Sequence, residues 1–326
     1  MWILALALVW PVATAQAEAP KDLLLPIDCE PGVDCWILRY VDHDPGPGVR
    51  DYACGKLTGD AHKGTDFAIR DLATMVAGVE VRAAAAGIVE ALRDGMPDQS
   101  LDEAGREAIG GRSCGNGIRL DHGDGWSTWY CHLRRGSLMV QEGDPVGAGQ
   151  ALALVGLSGE TTFPHLHFDL RQGDRAVDPF VGEGGPQGCG QGERPLWHAD
   201  VLAALAYQPV VLAHAGIAPT PPKAEDARRG YHDRASLAVT SRVLELWVDG
   251  YGVEAGDLVQ FTITGPDGAP VLAHTVALDR SFARWFQFVG AKRPGDAWPA
   301  GTYSGEVTLQ REGLAPVSLE REVELR

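Results

Sequence analysis

The sequence has no C-x-x-C spacing, no internal repeat and no low-complexity tract. The first absence argues against a zinc-thiolate site, and the others against a repeat or linker protein. Basic residues are scarce, with 28 Lys and Arg against 44 Asp and Glu and a formal net charge of -16. No nucleic-acid partner is expected, because grip on a phosphate backbone needs clustered positive charge. Long apolar runs are also missing: Trp2 to Ala17 falls short of the about 20 residues that cross a bilayer, so no stable membrane span is expected. What is present is 45% apolar residues over 326, enough for ordinary packed cores and for two domains.

The stretch from Trp2 ends in Ala15-Gln16-Ala17, the small-x-small pattern of a cleavage site, so residues 1–17 read as a signal peptide. Its start carries no Lys or Arg, and no Cys directly follows it, which argues against a lipid anchor. Export, to the periplasm or the medium, is the expectation. Cys29, Cys35, Cys54, Cys114, Cys131 and Cys189 all lie beyond that point, an even set that allows up to three disulfides in an exported protein. Asp121 to Trp126 reads as a hairpin turn whose flanking strands bring Cys114 near Cys131, which predicts that bridge.

The chemistry gathers in two motifs about a hundred residues apart, His62-Lys63-Gly64-Thr65-Asp66 and His165-Leu166-His167. Side chains on an extended chain alternate faces, so i and i+4, or i and i+2, point the same way. His62 and Asp66 can then grip one ion that the second His pair faces. Two imidazoles and a carboxylate, with a position left for water, are the ligand set of a catalytic zinc. A further imidazole, His132, ends a run in which Trp126, Thr128, Tyr130 and His132 are expected to share one strand face.

These residues resemble the zinc endopeptidases of the lysostaphin and LytM type, which cut peptides of bacterial cell walls. The likeness runs roughly from Tyr52 to Phe180. Val81 to Val89 resembles the family's strand-turn-strand, and Gly143 to Gln150 with Val155 to Gly159 resembles its approach to H-x-H. The resemblance implies that His62, Asp66 and His167 hold Zn2+ and that His132 and His165 serve catalysis. Two departures stand out. Cys131 replaces the small residue that commonly precedes the lone His, and Asp94 to Ser113 is a polar insertion long enough to shape access to the site.

The fold class expected is mainly β: an antiparallel LytM-like peptidase sheet, then a C-terminal immunoglobulin-like sandwich. Residues 18–50 form a lead-in read as ordered loop, 51–182 the zinc peptidase domain, 183–234 a linker with a short helix at Leu196 to Tyr207, and 235–326 the sandwich. Val259, Phe261 and Ile263, and Val317, Leu319, Val323 and Leu325, alternate with polar residues as strands do. Trp285 or Trp298 is a candidate for glycan contact through this domain, with protein contact the other partner considered, although a Trp in a small sandwich is more often core. Bland roles are expected for His122, His198, His214, His232 and His274, for Glu90 and Asp169, and for Asp178 as a cap. His43 between two Asp is read as a solvated turn before a metal ligand, and Asn116 as a turn residue or a holder of substrate backbone.

The expected activity is hydrolysis of peptide bonds in peptidoglycan stems or crossbridges by zinc-activated water. His165 is the expected general base, and His132 the donor to the developing oxyanion, with the two roles exchangeable. The rival reading is a noncatalytic wall-binding regulator of another hydrolase. Such regulators tend to lose site residues, and all five positions are filled here.

Overall fold

The computed structural model describes residues 19–232 and 234–326; the signal-peptide reading lies outside them. The first part runs β1 (Cys35–Arg39), β2 (Thr65–Ile69), α1 (Leu72–Ala77), β3 (Glu80–Arg82), β4 (Gly87–Arg93), α2 (Leu101–Ala104) and α3 (Arg106–Ile109). It continues with β5 (Asn116–Gly123), β6 (Trp126–Leu133), β7 (Pro145–Val146), β8 (Ala151–Leu154), β9 (His165–Gln172), β10 (Arg175–Val177) and α4 (Ala199–Ala204). The second part holds β11 (Val211–Ala218), α5 (Ala224–Arg228), β12 (Ser236–Leu237), β13 (Val243–Val253) and β14 (Leu258–Thr264). It closes with β15 (Pro270–Ala277), β16 (Phe282–Lys292), β17 (Gly301–Gln310) and β18 (Val317–Leu325).

The first part is built on an antiparallel sheet in the order β1-β2-β9-β6-β5-β4-β7, with β10 on β9. Strand alternation gives it two unlike faces. Leu166, Phe168 and Leu170 of β9 and Trp126 and Tyr130 of β6 enter one apolar core. The intervening His165, His167 and Asp169 take the other face. The lead-in is more than loop: it supplies the edge strand β1, and Leu23 and Ile27 are buried in the same core.

In the second part a three-stranded sheet, β11-β13-β16, and a five-stranded sheet, β12-β18-β17-β14-β15, share one core. Val259, Phe261 and Ile263 all point into it, as their alternation predicts. Segment 183–234, expected as a linker with one short helix, contributes α4 and also β11, which pairs with β13 and is buried throughout. Its apolar run is therefore sheet and not connector. Trp285 and Trp298 are 6% and 4% exposed and belong to this core, with Trp298 Nε1 donating to Ser241 O at 2.8 Å. The expected glycan contact through these rings is thus corrected, since neither offers a face to a sugar.

The two parts meet through a small apolar cluster. Trp36 and Leu38 of β1 and Ala68 of β2 pack on Val211 and Ala213 of β11, with Phe163 and Tyr251 alongside. Three disulfides close the chain, Cys29–Cys35, Cys54–Cys189 and the expected Cys114–Cys131. Among the described residues no helix is long and apolar enough to cross a membrane.

Candidate metal and catalytic site

Asp66 on β2 and His167 on β9 are register partners in adjacent antiparallel strands, and Ala68 faces His165 in the same way. Pairing therefore brings the second motif to the first across about a hundred residues of sequence. His62 lies before β2, where the chain bends at Gly64. A Cβ at Gly64 would sit 2.4 Å from Phe168 O and 2.7 Å from His167 Cε1. Only a residue without a side chain lets the His62 segment come down on the His167 ring.

His62 Nε2, Asp66 Oδ1 and His167 Nδ1 converge. Asp66 Oδ1 is 3.1 Å from His62 Nε2 and 2.8 Å from His167 Nδ1, and the two nitrogens are 3.2 Å apart. Their side chains are 13%, 2% and 16% exposed, so the carboxylate is sealed while the imidazoles border an opening. Burial opposes ionisation of Asp66, yet the neighbouring His62 and His165 charges hold its pKa well below the ordinary value. Burial likewise works against protonated His62, but the Asp66 carboxylate overrides it and raises the pKa.

Each ring is oriented by a partner outside the cluster. His62 Nδ1 donates to Tyr40 O at 2.8 Å, which turns Nε2 and its lone pair toward Asp66. His165 Nδ1 donates to Phe163 O at 3.0 Å with Thr161 Oγ1 at 3.1 Å, leaving Nε2 3.5 Å from Asp66 Oδ1. Phe163 also stacks on the His165 ring at 4.6 Å. His132 Nδ1 donates to Ser158 O at 2.7 Å.

His132 departs from the strand alternation expected of it. Tyr130 and Leu133 both enter the core, so two residues between them must face away from it. The register slips here: Gly117 opposes Cys131 and Asn116 opposes Leu133, leaving His132 as an inserted residue with φ of +62°. This β-bulge turns the imidazole off the Trp126–Thr128–Tyr130 face, to a ring distance of 4.6 Å from His165 and 6.0 Å from His167. A left-handed non-Gly residue carries strain of about 1–3 kcal/mol, which surrounding contacts must hold. Burial, followed by His165 and His167, pushes the His132 pKa well below its usual value.

All five residues singled out by sequence therefore lie together, and other candidates do not join them. His43 Nε2 is 2.7 Å from Asp178 Oδ2 in a largely buried pair, neither solvated nor gathered with the cluster. Asp178 Oδ1 caps Phe180 N. Asn116 is fully buried, bonded to Met96 on both its oxygen and its nitrogen and to Leu133 O, so it has no group left for substrate. Glu90 pairs with Arg119 and Asp169 with Arg171.

The insertion after β4 adds no member to the cluster but is tied to the loop before β9, which carries Thr161. Asp98 accepts from Leu157 N and Arg135 N, and Leu101 N donates to Thr161 O. Gly64, Thr161 and the carbonyls of Tyr40, Phe163 and Ser158 also shape the site. Gly64, set inside the first motif, was visible, whereas carbonyl partners leave no mark in residue identity.

Residues 60–179 match the family model for peptidase family M23. This part of the chain is an M23 domain of the lysostaphin/LytM type. An uncharacterized metalloprotease of Haemophilus influenzae is 31% identical to it over 135 residues, 41% of this chain and 23% of that protein. The glycyl-glycine endopeptidase ALE-1 of Staphylococcus capitis is 35% identical over 134 residues, 41% of this chain and 30% of that one. The peptidoglycan DD-endopeptidase ShyB of Vibrio cholerae is 39% identical over 64 residues, 20% of this chain and 15% of that protein. The M23 match thus spans less than a third of the length of each of these relatives.

Proposed function

We propose that the protein is a zinc-dependent endopeptidase that hydrolyses peptide bonds in peptidoglycan stems or crossbridges. The observation that carries this is the approach of His62 Nε2, Asp66 Oδ1 and His167 Nδ1 to within 2.8–3.2 Å of one another. Ligand bonds of about 2.0–2.1 Å in a tetrahedron set donor atoms roughly 3.3 Å apart, so this donor set and spacing fit zinc. When bound, the ion supplies Lewis acidity and lowers the pKa of water at the open position.

The remaining chemistry belongs to the two other histidines. His165, fixed with its proton on Nδ1, presents the Nε2 lone pair beside the cluster and takes the proton of the attacking water. His132 holds its proton toward Ser158 O, so the neutral ring accepts at Nε2 and orients that water. The proton that His165 takes up is then given to the leaving amine nitrogen as the C–N bond breaks. The bulge and the Thr161 and Phe163 contacts keep both rings in place, which supports catalysis over a regulator role.

Three disulfides support a periplasmic or secreted site of action. We read the second part as an immunoglobulin-like sandwich, supported by two sheets on one core. Digestion of purified sacculi by the zinc-loaded chain, followed by mass analysis of released muropeptides, tests the activity. Release of new peptide ends by the parent and none by His165→Ala is the expected result; equal silence from both overturns it.

A further inference from the structure

Between the M23 domain and the second part lies a cleft of about 470 Å³. Its walls come from the insertion (Ser100), the loop before β9 (Phe163), α5 (Arg228), β13 (Tyr251) and β16 (Arg284). Phe163 joins this cleft to the catalytic cluster, since the ring that lines it stacks on His165. A ligand in the cleft therefore sits one ring away from the candidate base.

The charges in the cleft are unevenly arranged. Arg229 pairs with Glu103 and Glu225, and Arg70 with Asp71. Arg228 and Arg284 converge instead on the single carboxylate of Asp249, Arg228 at 3.0 and 3.1 Å and Arg284 at 2.6 and 3.2 Å. Two guanidinium groups against one carboxylate leave a local excess of positive charge there, although the lining as a whole carries four arginines and four acids. Both use Nε and Nη2 for Asp249, and Nη1 of neither makes a hydrogen bond among the described residues. The Arg284 guanidinium is also braced over Tyr251 at 5.0 Å and Phe163 at 5.8 Å, so its plane is held before any ligand arrives. The acids Asp102, Glu103 and Glu225 are exposed and form a rim that repels a polyanion.

We propose that this cleft is the subsite in which Arg228 and Arg284 grip a carboxylate on the peptide being cleaved. It rests on the hydrolase reading above and adds that the second part of the chain is a wall of the substrate groove. A preset guanidinium matches a carboxylate with parallel hydrogen bonds and loses little entropy in doing so. At about 470 Å³ the cleft is wide enough for a side chain with its carboxylate.

The test compares two forms of one substrate with the intact, zinc-loaded chain. These are crosslinked stem-peptide dimers as isolated, and the same dimers with carboxylates amidated by carbodiimide and ammonia. The free-acid form should show a KM lower by about tenfold, the difference a charged hydrogen-bonded pair makes. Arg228→Gln should raise the free-acid KM until the two forms match, and Arg228→Lys should restore part of the difference. Calorimetry with the His165→Ala chain separates binding from chemistry. Preference for the free acid there, with no cleavage by the parent, keeps the carboxylate site and removes the hydrolase reading. Cleavage or binding of both forms alike by the parent overturns the site and leaves the hydrolase reading standing, with no variant needed.

Discussion

The backbone oxygen of Cys114 accepts a hydrogen bond from the backbone N–H of His132 at 2.8 Å, and a disulfide joins Cys114 to the residue just before His132. The bridge and the hydrogen bond together pin the bulge that carries the imidazole. Two serines in place of Cys114 and Cys131 should then act twice. Opening a loop of 17 residues lowers stability by about 3 kcal/mol, read as a fall in melting temperature. Freeing the left-handed residue misplaces His132, and a displacement of this kind lowers kcat by roughly tenfold to a hundredfold. Zinc content should be unchanged. A double variant with the parent's kcat would show that the bulge stands without its bridge.

Gly64→Ala attacks the other arm of the site. The added methyl meets Phe168 O at 2.4 Å and the His167 ring at 2.7 Å, and the first of these neighbours is backbone that cannot swing aside. The His62 segment must lift off β9, parting His62 Nε2 from Asp66 and His167. Metal analysis after dialysis should find zinc lost or bound at least tenfold more weakly, an effect comparable to losing a partner that orients a ligand. Stoichiometric zinc at parental affinity would remove the role given to Gly64.

The five site residues should divide into two classes. His62→Ala, Asp66→Ala and His167→Ala should lose zinc and activity together. His165→Ala and His132→Ala should keep zinc and lose turnover by about 10²–10⁴-fold, the range of a positioned acid or base. Elemental analysis beside a muropeptide assay reads both properties. A His132→Ala enzyme with unchanged kcat would strip that residue of its part.

Much of this site was legible because motif spacing and strand alternation share one cause. Side chains two apart on β9 face one way, so His165 and His167 are readable as a pair. His132 was readable as a participant but not by the face it uses, because a bulge of one residue reverses everything that alternation implies. The second part shows the same limit at larger scale. Its strands β14 and β18 were plain from their alternation, whereas β11 is buried along its whole length and carries no alternation to read. The cleft at Arg228 and Arg284 depends on where that strand docks, which no local pattern encodes.

His122, far from the cluster, offers a pH-dependent stability. Its Nδ1 donates to Ala86 O at 2.7 Å, and its Nε2 is 2.8 Å from Thr128 Oγ1, which in turn is bonded to the buried Tyr130 hydroxyl. Burial lowers its pKa below the ordinary 6.5, against smaller opposing effects of Ala86 O and Asp121. The folded ring is therefore neutral where the unfolded ring already binds a proton, and the unfolded state gains as pH falls below about 6.5. The stability this residue contributes is complete above that value and declines toward the lower folded pKa. The slope is at most about 1.4 kcal/mol per pH unit for one proton. Melting temperatures at pH 8 and pH 5.5 should differ more for the parent than for His122→Gln, which keeps an amide donor and acceptor but does not titrate. Equal differences in the two proteins would place the acid sensitivity elsewhere.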